Sequence, residues 1–239
     1  MSEAATLRVL GLVPARGGSK GIPRKNLQLL AGKTLLQRTA EAALTARRLS
    51  RVILSTEDAE IADAGRRCGL EVPFMRPAEL ASDEAPMLPV VQHAVRFVEE
   101  QGDSFDAVFL LQPTNALRRA DDIDGAVALL EATGADSVIS FVDAGKKHVS
   151  RMKYVDAQGR VTDPPFGDIV EGQRRQDLPR LYLREGSVYL TRRNVLMQRN
   201  SFKGMDCRAW IIPEARACDI DTPFELFIAE QLLRLNGKR

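Results

Sequence analysis

"LRVLGLVPARGGSKGIPRKN", residues Leu7 to Asn26, decides how this chain is read. Its first part, Leu7 to Val13, is mostly apolar and stops at Pro14, as a short buried strand does. The chemistry then changes: Gly17, Gly18 and Gly21 are interleaved with Arg16, Ser19, Lys20, Arg24 and Lys25. A loop leaving the C-terminal end of the first strand of an α/β sheet lies at the edge where such folds bind ligands. Glycines let backbone amides approach an anion closely, and the cations add charge-assisted contacts. Polyphosphate is the natural occupant, and a solvated basic turn is the plain alternative.

Working outward, strands and helices alternate through the first two thirds of the chain, which predicts a parallel sheet covered by helices on both faces, a Rossmann-like α/β fold. Expected strands are Leu7–Val13, Arg51–Thr56, Asp106–Pro113 and Asp136–Val142; expected helices are 34–48, 57–69, 86–102 and 120–134. After Val142 the rhythm breaks. Lys146 to Leu183 is polar and rich in Arg, Asp, Gly and Pro, so residues 143–185 are expected to form an excursion from a single domain of 239 residues. Strand character resumes at Ser187–Arg193 and Ala209–Pro213. A closing helix over 222–235 is expected, with Thr222 as its N-cap and Pro223 at its first position.

Composition narrows the function classes. A net charge of +2 over 239 residues gives no support to a general nucleic-acid or membrane-surface binder, so any positive charge that matters is local. Cys68, Cys207 and Cys218 form no CxxC pair and leave one cysteine over, which argues against a disulfide framework and a zinc site. No apolar run approaches the roughly 20 residues that span a bilayer, and the N-terminus lacks an export pattern. A cytoplasmic protein is expected.

Two familiar phosphate motifs are absent. "AGKT" at Ala31–Thr34 resembles the end of a Walker A loop, but the glycine that motif requires five residues before Gly32 is Leu27. No G-x-G-x-x-G follows the first strand. A second chemical centre lies at "CDIDTP": on an extended segment Asp219 and Asp221 point one way and Ile220 the other, into the core. Paired carboxylates suit Mg²⁺, a hard ion that takes oxygen ligands and bridges phosphates; the plain alternative is that Asp221 only helps to cap the helix beginning near Thr222. His93 falls in a helical pattern and reads as a packing or surface residue, and neither a Ser/His/Asp hydrolase motif nor a cysteine nucleophile is evident.

"PARGGSKGIPRKN" resembles the signature of the acylneuraminate cytidylyltransferases, the CMP-sialic acid and CMP-nonulosonate synthetases, and further matches follow in the family's order. They are "FMRPAELASD" (Phe74–Asp83), "LLQPTNALR" (Leu110–Arg118), "RRQDLPRLYLREGSVYL" (Arg174–Leu190) and "CDIDTPFEL" (Cys218–Leu226). The resemblance implies a CTP-dependent nucleotidyltransferase that activates a nine-carbon acidic sugar of sialic, legionaminic or pseudaminic type. It implies that Arg16, Gly17, Ser19, Lys20 and Lys25 hold the triphosphate, Lys25 near the phosphate under attack. Asn26 would lie near the nucleoside, Arg76 would take part in nucleotide binding, and Asp219 and Asp221 would hold the Mg²⁺. Gln112 would touch the sugar. Arg175 aligns with the family's carboxylate-binding arginine and Arg151 with a position usually held by lysine; Arg184 adds charge beside them, and a guanidinium can grip a carboxylate bidentately. The family also dimerises through its excursion, so a homodimer is expected.

Some residues depart from the family's pattern. Glu185 stands where an amide is usual, and would be unfavourable beside an acidic sugar unless it pairs, with Arg184 the neighbour in sequence. Asn115–Ala116 replaces serine-proline, and Glu84 and Met87 replace hydroxyl residues. These changes bear on substrate identity more than on fold. The alternatives they leave open are a sugar 1-phosphate acceptor with another nucleotide such as GTP, a CMP-Kdo synthetase, and a sugar-nucleotide-binding regulator without turnover.

Overall fold

The computed structural model describes residues 6–166, 172 and 174–236, with the side chains of Arg175 and Asn236 outside that description. Strand β1 (Val9–Pro14) is buried throughout. Val9 and Val13 enter one apolar cluster, and Leu10 and Leu12 another. Because successive side chains of a strand point to opposite faces, this division makes β1 a central strand covered on both sides.

A tight hairpin follows, β2 (Leu29–Leu30) with β3 (Lys33–Thr34). Its turn residues Ala31 and Gly32 have φ of 48° and 81°, so "AGKT" is a hairpin turn. Thr34 then caps helix α1 (Leu35–Thr45), its hydroxyl accepting from the Gln37 amide at 3.0 Å. Next come β4 (Arg51–Ser55), α2 (Ala59–Arg67), α3 (Met87–Glu100), β5 (Ala107–Leu110), α4 (Ala120–Thr133) and β6 (Ser137–Asp143). Asp58 caps α2 through the Ile61 amide, and α4 ends at Gly134 with φ 65°. The chain is completed by a small hairpin, β7 (Tyr154–Val155) with β8 (Val161–Thr162), then β9 (Tyr182–Arg192), α5 (Arg193–Gln198), β10 (Cys207–Ile211) and α6 (Pro223–Asn236).

The main sheet runs in the order β10-β6-β9-β5-β1-β4. One of its clusters receives Leu36 and Ala40 from α1, Ile61 from α2 and Ile123, Val127 and Leu130 from α4. The opposite cluster receives Val91, Ala94 and Val98 from α3 and Leu196 from α5. Fully burying each such aliphatic side chain contributes about 1.5–3 kcal/mol, so the sheet is a stiff platform for whatever lies at its edge. Helix α6 packs elsewhere, bringing Ala229 to a cluster with Ile22, Leu30, Leu35 and Ile220.

The sheet is mixed, not uniformly parallel. Strand β9 runs antiparallel to both its neighbours, β5 and β6. It also begins at Tyr182, before the expected Ser187. Phe141 pairs with Arg184, Val142 with Leu183 and Asp143 with Tyr182, so the ends of the 143–185 excursion are stitched into the sheet. The register breaks between Ile139 and Phe141, and Ser140 fills the break: its hydroxyl donates to the Glu185 carbonyl at 2.7 Å and accepts from the Val188 amide at 2.8 Å. Polar residues at this bulge hid the first half of β9 from a reading based on apolar runs. Helix α5 is short and was likewise not expected.

Candidate active site

The site is assembled at the edge of the sheet. The loop after β1, the turn at residues 112–114 after β5 and residues of the 76–90 segment line a cleft, and residues 218–222 bring carboxylates beside it. Ile220 is fully buried, and its amide donates to the Thr114 carbonyl at 3.0 Å, leaving Asp219 and Asp221 on the open side. Gly21 packs directly on this segment: a Cβ there would stand 2.1 Å from the Asp221 carbonyl oxygen, so no larger residue fits without displacing backbone. Four residues later, the Lys25 ammonium reaches the Asp221 carboxylate at 2.7 Å. The loop and the paired aspartates therefore meet across one site. A cleft of about 270 Å³ lies beside them, lined by Arg16, Lys25, Asn26, Arg76, Gln112 and Thr114 among others.

Almost every donor of the loop has an internal acidic partner. Arg16 pairs with Asp83 at 2.8 Å and donates to the Ser82 carbonyl at 2.8 Å; Lys20 reaches the other Asp83 oxygen at 3.4 Å. Arg24, at φ 52°, is held by Asp58 and Glu60. The Gly17 amide donates to Glu57 Oε1 at 2.6 Å, and Asp58 crowds the place a Gly17 side chain would occupy. Asn26 is buried and ties the loop to itself through the Arg16 carbonyl. Arg76 differs: among the described residues its buried guanidinium donates only to the hydroxyl and carbonyl of Ser55. Burial pushes its pKa down, with nearby Arg16 acting the same way and Glu57 opposing. A cation held by neutral acceptors at a cleft wall is suited to an electron-rich ligand group.

On the acidic side, withdrawal from bulk water raises the Asp219 carboxyl above the usual range, although its outer surface remains open. A hydrogen bond with Thr114 and the charge of Lys25 oppose this, while Asp221 and Glu185 add to it. Two carboxylates near enough to repel are a fitting donor set for a hard divalent cation. Among the described residues no group of three or more His, Cys, Asp or Glu gathers as a metal site. An ion held here would complete its shell with phosphate and water oxygens. Neighbouring Cys218 is inert: burial pushes its thiol up to about 11, Glu225 and Asp219 helping.

With this geometry in hand, residues 10–211 match the sequence profile of a family described as "Cytidylyltransferase". The chain belongs to the cytidylyltransferase family. It is similar to the CMP-N,N'-diacetyllegionaminic acid synthase of Legionella pneumophila, 32% identical over 96% of this chain and 98% of that one. The pseudaminic acid cytidylyltransferase of Campylobacter jejuni is 28% identical over 96% and 98%. The N-acylneuraminate cytidylyltransferase of Streptococcus agalactiae serotype V is 28% identical over 90% of this chain but 51% of its own length. Among solved structures, CMP-2-keto-3-deoxy-manno-octonic acid synthetase in complex with CTP superposes with a TM-score of 0.69 over 96% of this chain and 99% of that one, at 18% identity. At that identity the likeness concerns the fold, which cytidylyltransferases share.

The remaining residues expected from the family are placed less centrally. Ser19 is half-buried in the loop. Arg151 ends a short 3₁₀ turn in the excursion and is exposed, and Arg184 is exposed on β9; neither lines the cleft. Burial raises the phenol of half-buried Tyr189, with the charge of Arg184 opposing and that of Asp219 adding to it. Arg175 opens a second 3₁₀ turn, and its side chain lies outside the described residues. Glu185 is buried and shows no ion pair with Arg184, the partner expected for it. His93 packs against Phe74 at 4.8 Å between ring centres, as expected. A larger cavity of about 490 Å³, lined by His148, Asp143 and Arg180 among others, belongs to the excursion and shares no residue with the cleft. Asp83, Glu57 and Thr114 were not singled out from sequence. Asp83 closes the matched "FMRPAELASD", which was the available signal.

Proposed function

We propose that this chain is a CTP-dependent cytidylyltransferase that joins CMP to the anomeric hydroxyl of a nonulosonic acid and releases pyrophosphate. The observation that carries the reading is the meeting of Lys25 and Asp221 at 2.7 Å on the edge of the cleft that Arg16, Asn26 and Arg76 line. A nucleoside triphosphate lying there has its phosphates between the cations and the aspartates. The sugar oxygen attacks the α-phosphorus, the bond from that phosphorus to its α,β-bridging oxygen breaks so that the β and γ phosphates leave as pyrophosphate, and the hydroxyl proton leaves to water or a weak base. Little of this needs covalent help from the protein; positioning and charge neutralisation dominate. Arg16, Lys20 and Lys25 serve the triphosphate, Asn26 and Arg76 the nucleoside. Asp219 and Asp221 would hold Mg²⁺, which supplies further neutralisation of the phosphate charge.

The acceptor is an acidic sugar of legionaminic or pseudaminic type, which the two end-to-end relatives named for those sugars support. Gln112, on the cleft wall, faces its hydroxyls, and the arginines of the excursion bind its carboxylate. The excursion exposes Met152, Tyr154, Val155 and Val161, which supports a homodimer formed through this segment. The enzyme works in the cytoplasm; no described helix is long and apolar enough to cross a membrane.

The test is pyrophosphate release with Mg²⁺, each of the four nucleoside triphosphates and a panel of nonulosonic acids and sugar phosphates. CTP with a nonulosonate is the expected pair. Turnover with GTP and a sugar 1-phosphate would replace the reading, and nucleotide binding without turnover would make the chain a regulator.

A further inference from the structure

Two of the departures from the family's pattern, Asn115 and Glu185, touch one another. The Asn115 amide donates to Glu185 Oε1 at 3.2 Å. Glu185 also accepts the Ser187 hydroxyl on the same oxygen and the Ser187 amide on the other, both at 2.7 Å. Its carboxylate is thus turned inward, with only 8% of the residue exposed. Ser187 in turn receives Arg118: the guanidinium donates Nε–H to the Ser187 carbonyl at 2.6 Å and Nη2–H to the Gln112 carbonyl at 2.7 Å. Arg118 is 5% exposed, and its Nη1 has no hydrogen-bond partner among the described residues. A buried guanidinium bonded only to neutral carbonyls needs a counter-charge nearby. Burial lowers the Arg118 pKa to about 10, and Glu185 and then Asp122 oppose that fall. Gly186 completes the fit, because a side chain there would meet the Asn115 amide at 2.4 Å.

We infer that Glu185 is a positioning residue, the counter-charge to Arg118 in a buried Asn115–Glu185–Ser187–Arg118 network that holds the Gln112–Thr114 turn, and not a contact to substrate. The turn it holds carries Gln112 on the cleft wall, and Thr114 stands beside the Asp219 carboxyl, holds its charged form, and accepts the Ile220 amide on its carbonyl. Asn115 and Glu185 therefore act as one unit, and the carboxylate that looks hostile to an acidic sugar is spent inside the protein. The inference rests on the proposed function only for its kinetic consequence.

The experiment is a double-mutant cycle in thermal unfolding with Glu185→Gln, Arg118→Met and the double variant of the full chain. Each single change leaves a buried charge alone, and each is expected to lower Tm by about 6 °C or more. The double variant should lose clearly less than the sum, by at least about 4 °C. Additive losses would overturn the inference. Should Arg118→Met not fold, Glu185→Gln decides through kinetics: kcat should fall and the Mg²⁺ concentration for half-maximal rate should rise together, because the turn serves both Gln112 and Asp219. A change confined to the sugar KM would make Glu185 a substrate contact and overturn the inference. If the chain turned over no nonulosonate at all, the function would fail while the unfolding cycle still gave its own answer.

Discussion

The glycine-rich loop and the 143–185 excursion are the two regions that gather positive charge, and they are built in opposite ways. In the loop, Gly21 is pressed on the Asp221 backbone, Asn26 is buried, and Arg16, Lys20, Arg24 and Lys25 each face a carboxylate of the same chain. In the excursion, Tyr154, Val155 and Val161 are exposed on a hairpin of two-residue strands, and neither Arg151 nor Arg184 lines the cleft. On the proposed reading, the nucleotide end of the site is thus finished within one chain. The sugar end, on the same reading, draws on a segment that one chain leaves largely uncovered, where a second copy would cover it.

Removing one aspartate is the strongest way to break the finished half. Asp221→Asn removes a donor from the acidic pair but from the fold only an ion pair that is open on the carboxylate side, with the Lys25 side chain 15% exposed, which is worth roughly 1 kcal/mol. Turnover is expected to fall on the order of 10²–10³-fold with Tm nearly unchanged. Steady-state pyrophosphate release and a melting curve check it, and near-normal turnover removes the metal assignment.

The next effect is on stability. Asp122 accepts both Arg216 nitrogens, the Trp210 indole N–H and the Arg119 amide, and it is almost fully buried. This pair anchors the Glu214–Arg216 turn that leads into Cys218–Asp221. Burial alone would raise the Asp122 carboxyl, but the bonds from Arg216 and Arg119, with Trp210, outweigh it and hold it below the usual range. Its stabilisation is therefore present above the unfolded carboxyl pKa of about 3.9 and is lost as pH falls through the still lower folded value. Asp122→Asn should cost about 3 kcal/mol at pH 7 and less in acid, where protonation of the unfolded chain takes away part of the stabilisation the wild-type carboxylate supplies. Urea unfolding at pH 7 and pH 3 checks both parts; an equal cost at the two values would deny the linkage.

A smaller and more selective loss is expected on the other side. Arg175→Ala should raise the KM for the acidic sugar roughly 10- to 100-fold, the worth of one hydrogen bond to a charged group, with CTP affinity unchanged. Sugar and CTP titrations of the initial rate separate the two. An unchanged sugar KM would remove the carboxylate assignment and weaken the contrast between the regions.

How far the sequence carries follows the same contrast. The first strand, the glycine loop, the alternation of Asp219, Ile220 and Asp221, and the Thr222 cap were all legible, because each is a local pattern of spacing or polarity. Thr222 does cap α6, its hydroxyl accepting from the Glu225 amide at 3.3 Å while Glu225 returns to the Thr222 amide. What could not be read depends on distant partners. The antiparallel insertion of β9 needs β6 across a bulge, and the meeting of Asn115 with Glu185 spans 70 residues. The sequence raised Glu185 as an unpaired charge and looked to adjacent Arg184; only the fold joins it to Arg118, through Ser187.

The finest test of the finished half is Asp83→Asn. Asp83 holds Arg16 at 2.8 Å and Lys20 at 3.4 Å, with all three side chains at least a third exposed. A triphosphate that takes those two cations must displace Asp83, so the carboxylate competes with the ligand it resembles in charge. Exposed pairs of this kind are worth at most about 1 kcal/mol, which limits the effect to about fivefold. Asp83→Asn should therefore bind CTP about two- to fivefold more tightly at low salt, and the gain should shrink as salt screens both competitors. Calorimetric titration at two ionic strengths measures it. Weaker binding by the variant would mean that Asp83 orders the cations for the triphosphate instead of competing with it, and that the loop is pre-shaped by its acidic partners.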